Sequence, residues 1–169
     1  MNLQTFSVIV DIIGSLAVFA AIIFGLIQIK HFHRQRRDLA AIELVRSVQD
    51  SEFTKAYRLI HSLPEKVSAS EFRAKGIEYV DAAHTLGMKY ETIGLLVFRG
   101  VVPISAAEEL VGGIAITLWK RLGPWVDSIR KEQSQELFLE WFQWFVDRLE
   151  ERNRDHQEPA YKRYYDWQQ

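Results

Sequence analysis

The chain has 169 residues, enough for one domain with a core of its own, and it contains no cysteine. Disulfides, thiolate metal sites and thiol nucleophiles are therefore excluded. With 21 Lys plus Arg against 22 Asp plus Glu, the formal charge is −1, so the total does not describe a nucleic-acid binder or an acidic tail.

The charge is segregated along the chain. Residues 1–29 hold one ionisable side chain, Asp11, and the 18 residues from Ile12 to Ile29 hold none. At 1.5 Å rise per residue, roughly 20 such residues cross a ~30 Å hydrocarbon layer. No Lys or Arg precedes the stretch, and it is long for a cleavable signal, so it is expected to be a retained transmembrane anchor. Lys30, Arg34, Arg36 and Arg37 follow it directly. By the positive-inside rule this flank stays in the cytoplasm, against anionic lipid head groups, and the short N-terminus lies outside the inner (plasma) membrane.

Asp11, Gly14, Val18, Ala21, Gly25 and Gln28 recur at steps of 3 and 4 and share one stripe of a helix. Beside it Ala17, Ala21 and Gly25 form a small-xxx-small series, the spacing that allows two helix backbones to approach closely in lipid. Three readings of Asp11 stay open: an interfacial or helix-start residue, a hydrogen bonder between copies, or a pore-lining carboxylate.

Beyond Arg37 the apolar residues switch to helical spacing, and no stretch alternates as a half-buried strand does. The chain is expected to be all-α, with an anchor and basic flank over residues 1–34, a cytoplasmic helical bundle over 35–152 and a polar, aromatic tail over 153–169. Within the bundle the pattern predicts a helix over about 35–49 and a second over 52–62, which Asp50 or Ser51 caps and Pro64 ends. A capping box at Ser68 and Glu71 opens a short helix. A long helix over 77–99 stops at Gly100. A second capping box, Ser105 to Glu108, opens a helix that Gly123-Pro124 breaks near Leu122. A segment over 125–131 follows, then a last helix over 135–152. On that helix Phe138, Trp141, Phe142, Phe145 and Leu149 form a core stripe, with Trp144 off it against another subunit or a neighbouring element.

Asp81, His84 and Glu91 share a face of the long helix with Met88. Carboxylate and imidazole together can hold a metal or exchange protons, but no second helix offers a Glu-x-x-His partner, so this polar face is read as structural. Gly87 and Gly94, seven apart, suggest close approach of a neighbouring backbone, in the simplest case the helix that follows the turn at Gly100 to Pro103. No phosphate-binding glycine loop, nucleophile elbow or zinc-protease helix occurs. No catalytic residue, metal or cofactor is expected, and the chain is not read as an enzyme. The tail Tyr161-Lys162-Arg163-Tyr164-Tyr165-Asp166-Trp167 is left with three possibilities: docking on its own domain or a partner subunit, disorder, or membrane or nucleic-acid contact.

Ser51 to Tyr57, Tyr90 to Gly94 with Arg99-Gly100, Gly112-Gly113, Trp119 and Pro124 together resemble a bacterial family of uncharacterised, single-pass membrane-anchored helical proteins. The likeness covers roughly residues 5–150. It implies fold class and membrane attachment, with no activity to carry over. The expected role is a self-associating interaction or scaffold module whose partners are the bilayer, further copies of itself and an unidentified cytoplasmic protein, with no nucleic acid. The alternative is a small cation-permeable channel lined by the Asp11, Gly14, Val18, Ala21, Gly25 and Gln28 stripe.

Overall fold

A computed structural model describes the backbone of residues 3–48, 50–153 and 158–168. Side chains are described from Leu16 onward, except at 33, 34, 36–38, 40, 41, 47 and 153. The described residues are all-α. The elements are α1 (Leu3–Val48), α2 (Ser51–His61), α3 (Ala69–Ala74), α4 (Ile77–Phe98), α5 (Ile104–Ala107), a π-helical turn (Glu108–Gly112), α6 (Gly113–Gln133), α7 (Glu140–Asn153) and α8 (Ala160–Arg163). Two compact units divide the chain, residues 1–39 and 40–169. The division falls inside α1, so the helix expected over 35–49 is the end of that element.

Unit 2 is a bundle organised on α4, which packs against α7 on one side and α2 on another, with α6 completing the core. α2 starts where Asp50 accepts the Phe53 N–H, and its Phe53, Ala56 and Ile60, at i, i+3 and i+7, are buried. α3 opens with the predicted capping box: the Ser68 hydroxyl accepts the Glu71 N–H, and the Glu71 carboxylate accepts the Ser68 N–H at 3.0 Å. The Ser68 hydroxyl, which donates to the Glu71 carboxylate at 2.6 Å, and the Ser68 N–H hold the Glu71 carboxyl below its ordinary range. α4 ends in the Schellman pattern. Gly100, at φ +69°, donates to the Val97 carbonyl, and Val101 donates to that of Leu96.

Three expectations are corrected here. Ser105 does not cap a helix, because α5 begins one residue earlier behind Pro103, and Ser105 lies inside the first turn. Glu108 instead accepts a hydrogen bond from Arg152 of α7 at 2.9 Å.

Pro124 does not break its helix either; α6 runs through it from Gly113 to Gln133. A proline inside a helix frees the carbonyl four residues earlier, here that of Lys120. The Lys66 N–H, presented from a left-handed backbone at φ +58°, donates to that carbonyl at 3.0 Å. Arg121 secures the same loop by donating to the Leu63 carbonyl through Nε at 2.9 Å. The connection between α2 and α3 thus replaces the missing partner, and the helix continues.

The last helix starts at Glu140, not near Gln135. Ser134 ends α6 in the left-handed region at φ 54°, and Leu139 repeats that conformation just before α7. Arg130 holds the intervening turn, donating to the Phe138 carbonyl at 2.9 Å and to Gln143 Oε1 at 2.6 Å. Phe142, Phe145 and Leu149 of the predicted stripe are fully buried, and Phe138 and Trp141 are half-buried. Trp144 lies edge-on against Phe98, with ring centroids 5.5 Å apart, so it touches a neighbouring element of its own chain.

Candidate functional site

The polar face of α4 separates into three unrelated roles. Asp81 is exposed. His84 sets its ring edge-on to Trp125 and Phe138, at 5.2 and 5.8 Å between centroids. Glu91 serves α7: its Oε2 accepts the Phe142 N–H at 2.8 Å, supplying an anion to the first turn of a helix whose N–H groups have no internal partner. Burial raises the Glu91 carboxyl above its ordinary range, outweighing the backbone hydrogen bonds that lower it. Among the described residues no group of His, Asp and Glu is placed to hold a metal ion.

The glycines of α4 receive α7 and Leu139 just before it, rather than the helix after the turn. A Cβ on Gly94 would lie 2.1 Å from the Trp141 carbonyl oxygen, and one on Gly87 would lie 2.7 Å from Leu139 Cδ1. Between them Tyr90 stacks on Phe142, with centroids 4.9 Å apart. The Tyr90 hydroxyl is buried without a hydrogen-bond partner, and desolvation pushes its ionisation far above the ordinary tyrosine range. This side of α4 is fully committed to holding the bundle together.

Another side of α4 is open. Met88, Lys89, Thr92, Ile93 and Leu96, with Glu43 and Leu44 from the end of α1 and Val101 after α4, line a cleft of ≈580 Å³. That volume is within the range of small-molecule and peptide-side-chain pockets, and the lining is mainly aliphatic. At its edge the Lys89 ammonium pairs with the Asp50 carboxylate and lies 5.8 Å from the centre of the Phe53 ring. Hydrogen bonding from Lys89, with the Phe53 N–H, holds Asp50 below its ordinary range. Sequence reasoning did not find this cleft. Its signal was the breadth of apolar character on α4, where Met88 and Leu96 lie away from the stripe formed by Leu86, Tyr90, Ile93 and Val97.

In unit 1 the described large apolar side chains from Leu16 to Ile29 are exposed. They range from 54% exposed at Ile22 to 66% at Phe19. Ala17, Val18, Ala21, Gln28 and Lys30 are exposed, and a Cβ added at Gly25 would meet nothing within 4 Å. The side chains of Asp11, Gly14, Arg34, Arg36 and Arg37 lie outside the described residues. Among the described residues no helix is long and apolar enough to cross a membrane; the charge-free stretch begins at Ile12, ahead of the first described side chain.

Compared with known protein families, residues 15–149 match the family described as a domain of unknown function (DUF4760). No curated protein and no solved structure matches the chain.

Proposed function

We propose that this chain, which belongs to the DUF4760 family, is a single-pass protein of the inner (plasma) membrane whose helical bundle is a self-associating interaction module on the cytoplasmic side. The observation that carries this reading is the exposure of the Leu16 to Ile29 side chains on every face of α1. A helix apolar all round needs protein or lipid around it, and unit 2 buries its own apolar residues in a core of its own. The flank Lys30, Arg34, Arg36 and Arg37 sets the direction, with the bundle inside.

Self-association follows from the small residues. Ala17, Ala21 and Gly25 leave one line of α1 without bulk, and among the described residues a Cβ added at Gly25 would meet nothing within 4 Å. In lipid such a line is where a second backbone packs. The cleft beside α4 is the place on the bundle for an apolar partner side chain, and the reading assigns no catalytic residue, metal or cofactor. Cross-linking of the full-length protein in native membranes and in detergent tests it. Dimers or higher species in both, weakened by Gly25→Leu, are expected. A strict monomer in both removes self-association.

A further inference from the structure

The aromatic tail is absorbed neither by the fold nor by the function proposed above. Tyr161, Tyr164, Tyr165 and Trp167 are all exposed, from 58% at Tyr164 to 85% at Tyr165. The tail therefore does not dock on its own bundle. Its cations accompany its rings: Lys162 Nζ lies 5.9 Å from the Tyr161 ring centre, and the Arg163 guanidinium lies 5.8 Å from that of Tyr164.

The residue types discriminate among possible covers. All four rings carry a polar group, a hydroxyl or an indole N–H, and residues 160–168 contain no Leu, Ile, Val, Phe or Met. An apolar cleft such as the one beside α4 would bury those hydroxyls among aliphatic walls, at a cost that polar groups incur when they lose water without gaining a partner. A head-group layer satisfies both ends at once, because it offers hydrocarbon to the ring and water or phosphate to its polar edge. Two cations against the single anion Asp166 fit the negative potential of a cytoplasmic leaflet.

We propose that residues 160–168 form a second lipid contact, seated at the head-group level of an anionic bilayer; this rests on the membrane reading above. The full-length protein is reconstituted into vesicles of phosphatidylcholine with or without phosphatidylserine, some carrying spin-labelled head groups. Flotation establishes incorporation, and tryptophan fluorescence of wild type and Trp167→Phe isolates the Trp167 contribution. That contribution should be quenched by the labelled head groups, and Lys162→Glu with Arg163→Glu should reduce the quenching at least twofold in phosphatidylserine vesicles. If the protein floats with the vesicles while Trp167 is not quenched, the tail proposal fails and the anchor stands. If Trp167 is shielded from both lipid label and aqueous iodide, a protein covers the tail and the proposal likewise fails. A protein that does not float with the vesicles overturns the anchor and the tail together.

Discussion

Two helices of this chain both carry large apolar side chains and end in opposite circumstances. On α7, Phe142 and Phe145 are 0% exposed, whereas on α1 Phe19 is 66% exposed. The difference lies in what the rest of the chain supplies. α7 meets α4 at Gly94, the Leu139 side chain just before it meets Gly87, and its first turn receives a carboxylate. The large apolar side chains of α1 from Leu16 to Ile29 are all more than half exposed. Apolar composition alone therefore does not tell which large side chains a helix buries; on α7 the glycine seat and the capping carboxylate do.

The strongest way to break this contrast is a matched pair of truncations. Phe142→Ala should cost about 3–5 kcal/mol of bundle stability, the usual range for deleting a fully buried ring. Phe19→Ala should leave the same denaturation curve unchanged, and a comparable loss would mean that Phe19 belongs to the bundle's core. A second pair compares glycines. Gly94→Ala forces a Cβ against the Trp141 carbonyl, a backbone group that cannot swing aside, and should destabilise by ~3 kcal/mol in the same measurement. Gly25→Ala should leave the bundle's stability unchanged.

Smaller effects sharpen the description of the α4 to α7 contact. Tyr90→Phe removes a buried hydroxyl that has no partner, so it should be neutral or stabilising by about 1 kcal/mol in denaturant titrations. Glu91 gives a dependence on pH. Its folded-state carboxyl is raised above the ordinary 4.5, so its contribution is fully present below that value and is lost as pH rises through the folded pKa. Glu91→Gln, which keeps an acceptor for the Phe142 N–H, should flatten this part of the stability profile above pH 4.5. Glu71 and Asp50, whose carboxyls are lowered, act with the opposite sign and lose their contribution as pH falls.

Local chemistry made much of the fold legible in the sequence. The Ser68 box, the Asp50 cap, the Gly100 stop and the stripe from Phe138 to Leu149 all depend on residues within a few positions of each other. What escaped depends on distant partners. Pro124 reads as a break until Lys66, 58 residues earlier, is seen to satisfy the Lys120 carbonyl. Gly94 signals close approach without saying that α7 is what approaches. Glu91 resembles a titratable site until the first turn of α7 is placed against it. The cleft beside α4 was invisible for the same reason, since Leu44 and Val101 reach it from elements far apart in the chain.

The absence of cysteine makes the most direct test of the central claim straightforward. Single cysteines are introduced by Asn2→Cys and, separately, Glu158→Cys, and intact cells are treated with a membrane-impermeant maleimide before and after permeabilisation. An α1 that crosses the bilayer predicts labelling of Asn2→Cys in intact cells and of Glu158→Cys only after permeabilisation. Labelling of both positions from the same side would contradict a single membrane crossing.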